Sequence, residues 1–489
     1  MSEIINSKIR RTHDLLKSKQ ISCEELTKKY LEEANNLKKE LNAYVTLCDD
    51  LAIESAKAVD KKIEQGEEIS LLEGIPMTLK DNISTNGIET TCCSKILKGY
   101  VPIYDATVWD ILKRKNAILL GKTNMDEFAM GSTSETSCIG GSLNPHNIKH
   151  VAGGSSGGVA SAVAGNIAVY GLGSDTGGSV REPASFCGIV GLKPTYGSVS
   201  RYGLIAYGSS FDQIGTLTTT AEDAAIVFDA ISGYDEKDST SSNVKREPTL
   251  SKINDSLEGL RIGIAEEYFM GINDEIKESL EKAIKVYESL GAKIVRFKLP
   301  ELKYALPVYY ILACAEASSN LGRFDGIRYG YRADNYSDID EMICKTRSKG
   351  FGKEVQRRIL LGTYVLSSGY YDAYYKKAQK LRRKIIYAFR EAFKNCDIIL
   401  SPTAPSTSYE LNYSVDDPVE MYMTDICTVP INTAGVPAIS IPCGFDKSGL
   451  PIGMQLIGNM FSEGLLLNAA NIYEKEAHSF KSVDMGVRI

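Results

Sequence analysis

The sequence predicts an α/β layered protein, and three observations carry that prediction. Short apolar runs recur along the chain: "NAILLG", "NIAVYGLG", "LRIGIAE", "KIVRFKL", "CDIILSP", "PAISIPCG" and "GMQLIG". Runs of this length suit strands covered on both faces. Gly-rich turns and helical stretches separate them, the alternation of a sheet layered with helices. The chain has 489 residues, 43% hydrophobic and 24% charged, the balance of a globular protein with a sizeable core.

Taken in order, residues 1–65 read as a helical N-terminal segment. "SCEELTKKYLEEANNL" offers Ser22 as an N-cap with Glu25 three positions later, a capping box. Residues 66–489 are expected to form the α/β domain. In "LLEGIPMTLKDNIST", Ile75, Met77 and Leu79 alternate with Pro76, Thr78 and Lys80, as in a strand ending at Lys80. After Ser155 comes "GGVASAVAG", almost all small residues, which suits a helix packed very close to its neighbours. "NIAVYGLG" then returns as a strand to "SDTGGSVREPAS", where Arg181-Glu182-Pro183 begins another helix. The stretch 233–256 is the best loop candidate. "YYDAYYKKAQKLRRKIIYAFR" (370–390) reads as an amphipathic helix with a basic face, and less readily as a contact for tRNA.

Totals exclude several function classes. A net charge of −6 argues against whole-chain attraction to nucleic acid or anionic lipid. No apolar run reaches the roughly 18 residues that span a bilayer, and the N-terminus lacks the apolar core of a secretion signal. The eleven cysteines contain no C-x-x-C pair, so neither a disulfide framework nor a metal site is expected. A reducing cytoplasm fits best.

Three motifs invite a nucleotide or hydrolase reading. "GKT" at 121–123 lacks the phosphate-loop glycine, since Asn116 stands there. "GLGSDTGG" has Thr176 where a dinucleotide fingerprint needs its third glycine. "GGSSG" at 153–157 does match a nucleophile elbow, and His478 follows it in the order that fold needs. An α/β-hydrolase using Ser155 and His478 therefore stays open here.

A second constellation needs no histidine. Alone, Lys80 reads as a solvent-facing lysine paired with Asp81; buried, it would lose its proton readily and become a base. Ser155 stands at a helix start, where an N-cap serine is the ordinary role. Ser179 follows Asp175-Thr176-Gly177-Gly178, whose backbone N–H groups form either a plain turn or a nest for an anion. A hydroxyl beside a row of free N–H groups is what acyl transfer requires.

Together, Lys80 in "GIPMTLKDNI", Ser155 in "GGSSGG" and Ser179 in "GSDTGGSVREPA" resemble the amidase signature family. The likeness extends through "DNISTNGIETTCCSKILKGYVPIYDATVW", "GKTNMDEFAMGSTSETS", "RYGLIAYGSSFDQIGTLT", "RRILLGTYVLSSGYYDAYY" and "VEMYMTDICTVPINTAGVPAISIPCGF". These stretches are similar to one branch, the glutaminase subunits of glutamine-dependent aspartyl/glutamyl-tRNA amidotransferases.

The resemblance implies a mixed central sheet flanked by helices on both faces. It implies a Ser–cis-Ser–Lys set, with Ser179 as nucleophile and Ser155, after a cis peptide, bridging to neutral Lys80. The amides of Thr176, Gly177 and Gly178 would hold the oxyanion. Arg358 would clamp the glutamine carboxylate and Asp425 its ammonium, with Met130, Gly131 and Ser132 lining the pocket. It further implies a heterotrimer with subunits B and C. ATP and Mg would be used by the partner subunit, which would also hold most of the misacylated tRNA; no cofactor would bind this chain. His146, Thr216 and "INTAG" at 431–435 depart from the family pattern without touching these positions. The alternative within the family is a free-standing hydrolase of small or fatty amides, which would give Arg358 and Asp425 nothing to bind. A non-enzymatic tRNA-binding scaffold, with both serines as caps, is the remaining reading.

Overall fold

The computed structural model describes residues 7–413, 418–477, 483 and 485–487. Thirteen strands are placed among them: β1 (Tyr44–Leu47), β2 (Pro76–Lys80), β3 (Ile118–Thr123), β4 (Leu143–Asn144), β5 (Asn147–Val151), β6 (Tyr170–Asp175), β7 (Val190–Lys193), β8 (Gln213–Thr218), β9 (Arg261–Ala265), β10 (Lys293–Phe297), β11 (Ile398–Pro402), β12 (Ala438–Phe445) and β13 (Pro451–Gly458). Eleven build one sheet in the order β1-β3-β2-β6-β8-β7-β12-β13-β11-β9-β10, and β4 and β5 form a separate hairpin. The sheet is mixed: β3, β2 and β6 run parallel, as do β11, β9 and β10. Antiparallel pairs join β6 to β8, β8 to β7, β7 to β12, β12 to β13 and β13 to β11.

Both faces are covered, as the apolar runs predict. Along β11, Ile398 and Leu400 enter one hydrophobic core while Ile399 enters the other. Side chains alternate across a strand, so a run apolar at every position needs a core on each face.

The N-terminal segment is not helical throughout. Its helices Lys8–Lys17, Cys23–Asn36 and Asp49–Glu64 are interrupted by β1, which pairs antiparallel with β3 and extends the sheet. "YVTL" is too short for its period to stand out between two helices. The capping box is present: Ser22 Oγ accepts from the Glu25 amide (3.0 Å) and Glu25 Oε2 from the Ser22 amide (3.1 Å). Within 233–256, the regular structure is one short turn, Thr249–Lys252. The basic stretch near 370–390 forms the helix Lys376–Ala392 after a single wide turn, Tyr371–Tyr375. Among the described residues, no helix is long and apolar enough to cross a membrane.

The topology places the chemistry. Because β3, β2 and β6 are parallel neighbours, their C-terminal ends open on one side of the sheet. Lys80 closes β2, Asp175 closes β6, and the loop after β3 carries Asp126 to Ser134. Ligands of open α/β sheets bind outside such carboxyl ends.

Candidate active site

Lys80 is fully buried, so the solvent-facing reading does not hold. Nor does it pair with Asp81, whose nearest cation is Lys122 at 3.9 Å. Lys80 Nζ lies 2.7 Å from Ser155 Oγ, 2.9 Å from Ser156 Oγ and 3.2 Å from the Ser174 carbonyl. Burial pushes its ammonium down to about 7, against the pull of Asp126 and Asp175. The contacts suit the neutral amine. Ser156 Oγ donates to the Ser174 carbonyl (3.2 Å), so it offers Lys80 only an acceptor. Two N–H groups then serve Ser156 and the Ser174 carbonyl, and the lone pair is left for the Ser155 hydroxyl.

The peptide Gly154–Ser155 is cis. The Ser155 carbonyl accepts from the Asp126 amide at 3.2 Å. A side chain at Gly154 would lie 2.0 Å from Asp126 Oδ2, so only glycine permits this approach. Ser155 does not cap the helix Gly157–Ala164; Ser156 occupies that position, and its hydroxyl is engaged by Lys80 and Ser174 rather than in a cap. The Ser156 amide donates to the Ser179 carbonyl at 3.1 Å, stitching the two serine loops together. Ser179 is 7% exposed, whereas Lys80 and Ser155 are at 0%.

The turn before Ser179 is held from outside. Asp175 accepts from Arg181 Nε (3.0 Å) and Nη2 (3.1 Å), from Asn432 Nδ2 (2.9 Å) and from the Val180 amide (3.2 Å). Burial alone would raise this carboxyl, but the Arg181 guanidinium holds it below its ordinary range. Thr428 Oγ1 donates to the Gly177 carbonyl at 2.6 Å, and Thr176 Oγ1 donates to Asp212 Oδ1 at 2.7 Å. With these carbonyls and side chains fixed, the amides of Thr176, Gly177 and Gly178 donate to nothing among the described residues. Gly178 has φ +148°, and a Cβ there would meet Thr428 Oγ1 at 2.3 Å. Removing Arg181 leaves a fully buried, unpaired Asp175. Arg181→Met is therefore expected to cost about 3–5 kcal/mol of stability, read as a lowered thermal midpoint.

Arg358 and Asp425 are both buried and meet through Tyr310. Tyr310 donates its hydroxyl to Asp425 Oδ2 (2.8 Å), and its ring lies 5.2 Å under the Arg358 guanidinium. The rings of Tyr207 and Tyr422 sit at 5.6 and 5.4 Å. Arg358 Nε donates to Glu354 (2.7 Å) and Nη1 to the Tyr207 hydroxyl (2.6 Å), while Nη2 has no partner among the described residues. Ser132 Oγ donates to Asp425 Oδ1 at 3.1 Å. A Cβ at Gly131 would stand 2.3 Å from Asp126 Oδ1, and Met130 is fully buried in the core shared with Tyr309. The cluster adjoins the turn: the Thr428 amide donates to the Asp425 carbonyl (3.0 Å), and a side chain at Gly177 would strike the Tyr309 ring.

A family model described as "Amidase" matches residues 25–467, most of the chain. The chain belongs to the amidase family. This amidase is 52% identical to the A-subunit of the glutamyl-tRNA(Gln) amidotransferase of Caldanaerobacter subterraneus subsp. tengcongensis, over 97% of each chain. It is 40% identical to the crystal structure of the corresponding glutamyl-tRNA(Gln) amidotransferase A-subunit from Thermotoga maritima, with a TM-score of 0.81 and 98% of each chain covered. The native peptide amidase of Stenotrophomonas maltophilia shares the amidase fold at 27% identity and a TM-score of 0.83, covering 99% of this chain and 100% of that one.

Some residues of the amidase site carry no motif. Tyr310 stands in the apolar helix Ala305–Asn320, and Asp126 in a loop otherwise read only for likeness. Ser156 was legible as a neighbour of Ser155 but not as a ligand of Lys80. Of the histidines, His13, His146 and His150 lie at 3.1, 3.2 and 2.9 Å from the carbonyls of Ile69, Cys187 and Ser408. His478 lies outside the described residues, so the pairing of Ser155 with His478 falls outside them too. Lys122 of "GKT" is buried, bound to the Ile83 carbonyl and to Thr85 (3.1 Å) and Thr90 (3.0 Å).

Proposed function

We propose that this amidase is the glutaminase component of a tRNA-dependent amidotransferase. The observation that carries the reading is a buried guanidinium, Arg358, and a buried carboxyl, Asp425, that meet at Tyr310 beside the Ser179 turn. An α-amino acid presents one carboxylate and one ammonium, and charge-assisted contacts to both are the strong ones. An apolar amide would offer neither group a charged partner.

Ser179 Oγ attacks the side-chain carbonyl of glutamine as its proton passes through Ser155 to Lys80. The amides of Thr176, Gly177 and Gly178 hold the oxyanion. The proton then returns to the departing nitrogen, ammonia leaves, and water hydrolyses the glutamyl ester to glutamate and free Ser179. Arg358 holds the α-carboxylate and Asp425 the α-ammonium, with Ser132 orienting Asp425 and Met130 and Gly131 shaping the wall. The likeness to two amidotransferase A-subunits supports assembly with subunits B and C in the cytoplasm. In that assembly the ammonia passes to a partner that uses ATP and Mg to amidate Glu-tRNA(Gln), Asp-tRNA(Asn) or both. No cofactor is assigned to this chain.

Ammonia release from glutamine by the chain, purified with the proteins that accompany it, tests the reading. Asp425→Asn and Arg358→Met are each expected to raise KM about 10- to 100-fold, since each removes a charged hydrogen bond. Unchanged KM in both variants would sink the amino-acid site, and a simple amide would then be the better substrate.

A further inference from the structure

Asp212 is a buried acid that the mechanism does not use, and it lies between the two halves of the site. It immediately precedes β8, whose first residue, Gln213, pairs with Asp175 at the end of β6. The antiparallel register therefore brings Asp212 beside Thr176, the residue that opens the turn before Ser179. Its carboxyl takes three donors. Thr176 Oγ1 and the Gly208 amide reach Oδ1 at 2.7 and 3.0 Å, and the Tyr207 amide reaches Oδ2 at 2.9 Å. The loop from Tyr207 to Asp212 is tight: the amides of Phe211 and Asp212 both donate to the Gly208 carbonyl at 2.8 Å. A Cβ at Gly208 would stand 3.3 Å from Thr176 Cγ2, so the loop packs directly on the turn. The helix Ala305–Asn320 anchors its other side. Asn320 Nδ2 donates to the Tyr207 carbonyl (3.0 Å), and Glu316 Oε2 accepts from the Ser210 amide (2.9 Å).

The same loop holds Arg358. The Tyr207 hydroxyl accepts from Arg358 Nη1 at 2.6 Å, and the Tyr207 ring lies 5.6 Å from the guanidinium. One carboxyl thus joins the turn before Ser179, through Thr176, to Arg358, through Tyr207. Three N–H and O–H donors converging on it suit an ionised carboxylate, which only accepts. Burial pushes the Asp212 carboxyl up to about 6, against the pull of Thr176 and the two amides, so the carboxylate prevails at pH 7. We propose that Asp212 is a positioning residue that fixes the spacing between the oxyanion turn and the Arg358 clamp. Glutamine held at its α-carboxylate then presents its side-chain amide to Thr176, Gly177 and Gly178. A substrate held at one end and cleaved at the other depends on that spacing, and a misplacement of about 1 Å costs roughly 100-fold in rate. The inference rests on the glutaminase reading of the site.

Four variants, each in the chain with its accompanying proteins, provide the test, read as kcat and KM for ammonia release from glutamine. Thr176→Val removes the hydroxyl and keeps the methyl group against Gly208. It is expected to lower kcat about 10-fold with KM near the wild-type value. Thr176→Ser keeps the hydroxyl and is expected to keep kcat. Tyr207→Phe removes the acceptor for Arg358 and is expected to raise KM about 10-fold with little change in kcat. Asp212→Asn sets an NH2 group against one of the three donors and is expected to change both constants. Its kcat should fall about 10- to 100-fold and its KM rise about 10-fold. A change in only one constant in Asp212→Asn, or in neither, overturns the proposal, as does Thr176→Ser as slow as Thr176→Val. Should Asp212→Asn fail to fold, the other variants decide: the split between kcat and KM upholds the proposal, and wild-type constants in Thr176→Val or Tyr207→Phe overturn it. Wild type that releases no ammonia overturns the glutaminase reading and this proposal with it. Ammonia release with unchanged constants in the variants overturns the proposal alone.

Discussion

Ser179→Ala is expected to lower ammonia release from glutamine about ten-thousand-fold or more, with the fold and glutamine binding retained. The size follows from the chemistry. Without the hydroxyl no ester forms, and the free amides of Thr176, Gly177 and Gly178 have no tetrahedral carbon to serve. Retained binding follows from geometry, since Arg358, Asp425 and Ser132 make none of their contacts through Ser179. Equilibrium binding of glutamine beside the rate assay separates the two effects. A Ser155→Ala variant should lose nearly as much, because it cuts the path from Ser179 to Lys80.

Lys80→Ala is expected to cost about a thousand-fold or more, the loss of the general base. The wild-type pH profile carries the sign. Burial brings the ammonium of Lys80 down to about 7. Below that pH the amine is protonated and has no lone pair for Ser155; above it the amine is neutral and competent. Ammonia release should therefore rise with pH through the neutral range. Lys80→Arg, a cation at every accessible pH, should stay inactive throughout. A profile that falls as pH rises through 7, with Lys80→Arg active, would require a different base.

The strands that were legible are those whose apolar runs face a core on each side, such as β11 with Ile398, Ile399 and Leu400. β8 was not legible, because Gln213, Thr216 and Thr218 are polar and yet fully buried in mid-sheet. Gln213 is satisfied there by donating to the Val199 carbonyl and accepting from the Gly197 amide, contacts 14 and 16 residues away that no local pattern records. The site divides in the same way. Ser155 and Ser179 stand out through their glycine-framed surroundings, which mark close backbone approaches such as Gly154 to Asp126, whereas Lys80 stands out only beside them. Arg358 and Asp425 were legible only through resemblance, since 67 residues separate them and Tyr310 joins them from a third element. The burial of Lys80 was beyond local sequence altogether, because three other segments create it: the loops of Ser155 and Ser156, the end of β6, and Asp126.

Turnover through Ser179 requires a glutamyl ester on its hydroxyl. Wild-type protein turning over glutamine is quenched in acid, digested and weighed by mass spectrometry. A glutamyl adduct is expected on the peptide that holds Ser179, present with glutamine and absent from Ser179→Ala. An adduct on Ser155 instead, or ammonia release undiminished in Ser179→Ala, would contradict it.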